Sequence, residues 1–457
     1  MNSTNSTNEY PLPSNSYAAF DAISLRNLVI QRLNDRGLFT DQNYIGSNLA
    51  SIIDIISFSF NTLMFYLNKT STESTFTEAQ LYENINRIVK LLDYKPIGYQ
   101  TSTLVFQASA NAAFSSGSYT IPRYSYLTVG GVAFSFNEDI SFKIAKDGVI
   151  TPLTDLTNTK LLYQGIYREN PLYTAAGDTN EVVSVNIPNS LLDHFNIDVY
   201  VYETEAAQWI QYSNIPNLYT ETAFARSFEK RLNQNSVYEI TFGDGINGRK
   251  LKAGERVAIY ALQSSGDNGV VGPNALSNVI TPVIYNTTTF NNLWLDVTSA
   301  EQYQKITPED FKSIVFNNNV GSTFPIDAEG VESIRKNAPT NFKSQYRLVT
   351  AKDYESYIST NFANIITDVK VFNNWDYTGK YLKYFQDTQV SPTEFKQILL
   401  NQVLYSDACN FNNVYICAKP KVSQGSTMKY LLPAQKEVIA SNVEAFKVKV
   451  VLTTLLA

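Results

Sequence analysis

A chain of 457 residues exceeds what one hydrophobic core organises, and at roughly 150 residues per domain it implies about three compact units. Hydrophobic residues make up 44% and charged residues 17%, enough apolar surface to offset the entropy of ordering the chain, while a net charge of -6 supplies no basic field for phosphates and excludes direct nucleic-acid binding. Cys409 and Cys417 have no histidine near them and too few partners for a zinc site or a disulfide framework, so both read as reduced core or strand residues of a protein made in a reducing cytoplasm.

Residues 1–19 form a polar Asn/Ser/Thr arm with neither the basic start nor the apolar stretch of a secretory signal. Asn2 and Asn5 match the glycosylation triplet, which has no meaning without secretion. Residues 20–98 read as a helical region. Within it Leu49, Ile52, Ile53, Ile56, Phe60, Leu63, Met64 and Leu67 recur at three- and four-residue steps, with Asp54, Ser57, Asn61 and Asn68 as a polar stripe. The stripe argues for an amphipathic helix with a wide apolar face and against a membrane span. A second helix is expected from about Glu78 to Leu92, with Leu81, Ile85, Ile88, Val89 and Leu92 on one face and Pro96 closing it, so the pair predicts a helical hairpin.

From Thr101 the period changes to two. Runs such as Val182–Ile187, Ile197–Tyr202, Val237–Phe242 and Val257–Leu262, punctuated by Gly, Pro and Asn, predict a central antiparallel β-rich domain over residues 99–290. A helical connector is expected over 291–345, opened by Thr307-Pro308-Glu309-Asp310 and followed by a short helix from Ala328 to Lys336. Residues 346–457 predict an α+β domain: a helix after Thr350 with Asp353 in a capping-box position, strands at Ile366–Phe372 and Val414–Ala418, and a helix around Glu394 to Leu404. The whole is thus a multi-domain α+β chain, with a helical hairpin, a β-rich middle and an α+β end.

Few residues invite a chemical reading. Gly243-Asp244-Gly245-Ile246-Asn247-Gly248 matches the dinucleotide fingerprint in letters and follows a strand, but a second strand instead of a helix follows it, which predicts a tight inter-strand loop. The Gly266–Pro273 loop lacks the alternating acidic ligands of a calcium site and reads as a turn. His194, the sole histidine, lies beside Asp193 but no nucleophile elbow accompanies it, so it reads as a surface or packing residue. Tyr and Phe number 30 and 26, which suits strands and interfaces as well as sugar platforms. No catalytic, cofactor or metal residue is nominated.

Two motifs carry a resemblance. Phe242, Gly243, Asp244, Gly245, Gly248 and Arg249, followed by Leu251-Lys252-Ala253-Gly254, resemble the F-G-D-G-x-x-G motif of baseplate J-like proteins, and the stretch Ser265–Gly272 is similar to that family's glycine-rich continuation. Arg347, Thr350, Asp353 and Tyr354 stand where the same family has R-x-V-T-x-x-D-Y. The portion from Asp41 through Leu81 also resembles the baseplate wedge subunit of T-even-like contractile-tailed bacteriophages. This resemblance implies a structural protein of the virion tail baseplate with no enzymatic activity, cofactor, small-molecule substrate or membrane span. It further implies that the chain joins a second copy of itself, a related wedge protein, the sheath initiator and other baseplate proteins in a sixfold ring that passes a conformational switch to the sheath. The apolar helix is then the expected inter-subunit element. Larger wedge subunits continue beyond the point matching Ala457, so the chain is either a compact member or part of a longer one, and the family's C-terminal dimer contact is not carried over. A reading from another class is a carbohydrate-binding or depolymerising tail adhesin built on the same β-rich middle.

Overall fold

The computed structural model describes residues 22–37, 46–110, 116–144, 160–187, 191–277, 280–297, 304–344, 347–373, 414–421, 425 and 430–446. The N-terminal arm, Cys409 and the helix expected around Glu394 to Leu404 lie outside them. The chain divides into two compact units, Met1–Ile88 and Val89–Ala457.

The first unit is a helical hairpin, but not the expected one. Helix α1 (Ala22–Arg36) packs on α2 (Asn48–Glu73), and the later helix α3 (Tyr82–Val89), continued by a 3-10 turn to Leu92, is not the hairpin's second arm. Ile30, Ala50 and Ile53 are buried in this unit, and Arg26 pairs with Asp54 at 2.5 Å. Helix α1 escaped the sequence reading because its apolar residues, Ile23, Leu25, Leu28, Val29, Ile30 and Leu33, are spread around the helix and form no single stripe. Helix α2 is capped by Ser47, whose Oγ accepts from the Ala50 N–H at 2.9 Å. At its other end the Glu73 carboxylate accepts from the Gln80 and Leu81 N–H groups and from Asn84, fixing the turn that follows.

The second unit holds an eight-stranded sheet, a five-stranded sheet and smaller two- and three-stranded pieces. In the eight-stranded sheet Leu191–Glu203 lies between Gln208–Ile215 and Arg256–Ser264, and Ser227–Leu232 lies between Gln208–Ile215 and Tyr238–Phe242. The expected antiparallel pattern needs one correction here: Gln208–Ile215 and Ser227–Leu232 run parallel, with Ser213 beside Ser227. A tight hairpin turn would force an antiparallel pair, whereas the connection over 216–226, carrying a 3-10 turn at Leu218–Thr220, is long enough to bring the chain back in the same direction. A second parallel pair joins Gln304–Lys305 to Gly117–Ile121.

Period-two patterning has its physical outcome in burial. The strand Arg256–Ser264 covers both faces through Ala258, Ile259, Tyr260, Ala261 and Leu262, while Tyr238–Phe242 alternates buried and half-buried side chains. Its inward residues join Val199, Val201, Phe228 and Leu232 in one core. A second core is aromatic: Tyr124, Tyr167, Tyr200, Tyr260 and Phe290 pack with Trp209 and Trp294, closed by α4 (Thr288–Val297). At its edge Arg123 pairs with Asp139 at 2.7 Å, and the Trp294 indole N–H donates to the same carboxylate at 2.8 Å.

The stretch expected as a helical connector does more than connect. Helix α5 (Pro308–Lys312) starts as predicted, with Thr307 Oγ1 accepting from the Asp310 N–H at 3.1 Å, but Ile314–Asn317 then pairs with Gln107–Ala110, and Phe311, Ile314 and Phe316 enter the core of the five-stranded sheet. Helix α6 (Val331–Ser344) runs longer than the predicted 328–336 segment. In the C-terminal part α7 (Ala351–Asn361) packs on the strand pair Ile366–Asn373 and Val414–Pro420, with α8 (Pro433–Phe446) completing the cluster through Ile439 and Val443. Cys417 is an exposed free thiol on that strand pair.

Candidate functional site

Three features are singled out by the sequence, and each has a definite geometry. In α2 the apolar stripe is mostly on the surface: Ile53 is buried and Leu49 and Met64 are half-covered, whereas Ile52, Ile56, Phe60, Leu63 and Leu67 are exposed. Ile55, Phe58, Phe65 and Tyr66 add to that surface from other faces. By length and composition alone the helix is apolar enough to cross a membrane, but Asp54, Asn61 and Asn68 interrupt it and Asp54 is engaged by Arg26. Leaving this many large side chains in water costs solvation free energy that only a partner or an apolar phase recovers.

The glycine turn is built from the backbone outward. Phe242 is fully buried at the end of its strand and anchors the turn in the core. The Asp244 carboxylate accepts from the N–H groups of Ile246 and Asn247 at 2.8 and 2.6 Å, bonds that hold its pKa below the ordinary value. Gly245 and Gly248 adopt φ of 92° and 80°, and a Cβ on Gly243 would sit 2.3 Å from the carbonyl of Gly248, so the turn closes on itself where only hydrogen fits. Arg249 leads out of the turn into a buried charge cluster. Its guanidinium donates to both oxygens of the fully buried Glu255, at 2.9 and 2.5 Å, and to the Tyr212 hydroxyl at 2.7 Å. Tyr212 in turn donates to Glu203, which takes two further bonds from Arg226. Burial pushes the Glu203 carboxyl up, but the Arg226 bonds and the Arg249 charge outweigh it and leave the pKa lowered. The N–H groups of Gly245, Ile246, Asn247 and Gly248 are spent within the turn or on the neighbouring loop, Gly245 donating to the Gly248 carbonyl, Ile246 and Asn247 to Asp244, and Gly248 to the Thr222 carbonyl, so these four do not face a phosphate.

The Arg347–Tyr354 motif is the start of a helix. Thr350 Oγ1 accepts from the Asp353 N–H at 3.3 Å and the Asp353 carboxylate accepts from the Thr350 N–H at 2.8 Å, a complete capping box with Asp in the third position. Tyr354 is buried in the C-terminal core, while Arg347 is exposed.

Asp193 and His194 do not form a catalytic pair. The Asp193 carboxylate accepts from the Thr101, Phe195 and Asn196 N–H groups and the Asn196 amide, and His194 is buried with Nδ1 accepting from the Gly98 N–H at 3.0 Å. Burial, then the Lys230 charge, pushes the His194 pKa well below its ordinary value, so the ring is neutral. Gly266–Gly269 is a 3-10 turn in which a Cβ on Gly269 would overlap the Gln164 side chain. Among the described residues no group of three or more His, Cys, Asp and Glu side chains is placed to hold a metal ion. Most of the large aromatic side chains named here are committed to cores.

One cluster had no sequence signal. Tyr219, Phe224 and Ile246 are among the most exposed apolar side chains, Phe224 at 88%, and they stand on two adjoining loops tied by Gly248 N–H to Thr222 O and Arg249 N–H to Ala225 O. They belong to no periodic run, so only the folded loops bring them together.

No family model matches the chain. A comparison with curated proteins finds baseplate wedge protein gp6 of Enterobacteria phage T4, 22% identical over 366 residues, covering 77% of this chain. The chain spans 51% of the length of that relative. Among solved structures, the sixfold-symmetrised baseplate of the anti-feeding prophage aligns over 94% of this chain and 76% of its own at 12% identity, with a TM-score of 0.26 too low to carry an argument. Over most of its described length the chain is therefore similar in sequence to a phage baseplate wedge protein.

Proposed function

We propose that this protein is a structural subunit of a contractile-tail baseplate wedge that works by assembling and not by catalysis. Its place is the tail baseplate of the virion, reached by assembly in the bacterial cytoplasm. Its partners are a second copy of itself, a related wedge protein, the sheath initiator and other baseplate proteins, arranged in a sixfold ring. The observation that carries this reading is α2, a capped helix whose apolar side chains stand in water, beside a sequence relationship to a baseplate wedge protein. An amphipathic helix with so little intramolecular cover is suited to a bundle with helices of other subunits. The loop cluster of Tyr219, Phe224 and Ile246 offers a second, smaller apolar contact, held rigid by the glycine turn. The units then move as rigid bodies when the baseplate switches, because each is compact by itself.

Co-expression with the neighbouring tail proteins, followed by mass measurement of the purified material, tests the reading. A complex of defined stoichiometry is expected. A chain that remains monomeric with every tail partner, or that turns over a glycan by itself, overturns it.

A further inference from the structure

Inside the second unit a cavity of about 350 Å³ lies between the eight-stranded sheet and helices α6 and α7. Its sheet-side wall includes His194, Phe195 and Lys230, and its helical wall is rich in neutral hydrogen-bonding groups such as Asn341, Ser344 and Ser356. Lys230 is the unusual member. It belongs to the strand Ser227–Leu232, where Phe228 and Leu232 on the same face are core residues, and it is only 7% exposed. A lysine on a core face ordinarily loses its charge or finds several acceptors.

Here the ammonium has three protons and, among the described residues, one hydrogen-bond acceptor, the His194 carbonyl; its other close neighbour is the Phe195 ring, 5.7 Å from the nitrogen. Asp193 and Asp198 lie near enough to act on the charge, but among the described residues neither carboxylate hydrogen-bonds the ammonium: Asp193 takes four N–H bonds and one oxygen of Asp198 takes the Tyr124 hydroxyl. Because Nδ1 of His194 is occupied by the Gly98 N–H, its proton is on Nε2, a second donor among the lining residues. Asp353, also in the lining, has its carboxylate bound to the Thr350 N–H, which leaves Lys230 as the cation not already matched by a carboxylate hydrogen bond, since Lys95 pairs with Glu229 at 2.8 Å.

We propose that this cavity binds a small hydroxylated carboxylate, its acid group anchored by the Lys230 ammonium and its hydroxyls met by the amide and hydroxyl side chains of α6 and α7. The aromatic face of Phe195, partly exposed, covers the apolar side of such a ligand. Burial lowers the Lys230 pKa to about 8, so the anchor remains charged at neutral pH and is lost above that value. The inference stands apart from the wedge reading, since it uses none of the surfaces assigned to assembly.

Isothermal titration of the full-length protein with glucuronate, citrate and uncharged glucose tests it. At least one of the two carboxylates should bind about tenfold or more tightly than glucose, the share of affinity a charge-assisted hydrogen bond supplies. Lys230→Met should erase that preference, and Ser356→Phe, which fills the cavity while keeping the lysine, should abolish binding with the melting temperature retained. The second variant decides the matter if the first fails to fold. Absence of heat with both carboxylates, equal affinity for glucose and glucuronate, or undiminished binding by either folded variant overturns the proposal.

Discussion

Helix α2 and the strand Arg256–Ser264 are both apolar, yet they end in opposite environments. The strand buries Ala258 through Leu262 against neighbours on both sides, whereas only 17% of the most apolar stretch of α2 is covered. The difference teaches that apolar composition specifies a need for cover, and that the chain's own topology decides whether the cover is internal. A strand between two hydrogen-bonded partners has neighbours by construction; a helix in a two-helix unit has one partner and a perimeter too wide for it to cover.

The largest expected effect tests that contrast directly. Ile56→Asp or Phe60→Asp should abolish association with the proposed wedge partners while leaving the isolated chain's stability within about 0.5 kcal/mol, because both side chains are exposed in the monomer. Mass measurement of the co-expressed complex and a thermal melt of the mutant chain read the two parts. An intact complex, or a melted monomer, would show that α2 finds its cover inside the molecule.

The converse change belongs to the buried region. Arg249→Ala leaves the Glu255 carboxylate in the interior without its two guanidinium bonds, and should cost about 3–5 kcal/mol in denaturant unfolding of the second unit. A loss below about 1 kcal/mol would mean that water replaces the guanidinium bonds to Glu255 at little expense.

Smaller effects are expected at the helix ends. Thr350→Ala removes one half of the capping box that begins α7 and should cost about 1 kcal/mol, measured by the melting temperature of the second unit. In the first unit, bonds from Asn84 and from the Leu81 N–H hold the Glu73 carboxyl at about 2 against an ordinary 4.5. A depressed carboxyl pKa stabilises fully above the unfolded value, so this contribution should persist above pH 4.5 and disappear as the pH falls toward 2. Hydrogen exchange at the Gln80 and Leu81 amides should quicken over that interval relative to the intrinsic rate, and Glu73→Gln should remove the dependence.

Local signals were legible because they act over a few residues. The caps at Thr307 and Thr350, the glycine turn after Phe242 and the alternating strands each declare themselves by chemistry within one turn or one strand, and each is found at the expected place. The parallel pairing of Gln208–Ile215 with Ser227–Leu232 was not legible, since strand polarity follows the path of the connection and not the strand's own residues. Nor were the Arg226–Glu203–Arg249–Glu255 cluster and the Lys230 cavity, whose members come from separate strands, loops and helices.

The sequence by itself determined the order of helical and strand-rich regions, the net charge of -6, and the family likeness carried by the two short motifs. Tertiary structure decided which apolar surfaces remain uncovered, which carboxylates share an arginine, and that a lysine on a core face borders a cavity. Those outcomes depend on distances between segments remote along the chain, and such distances are set only when the sheets and helices have packed.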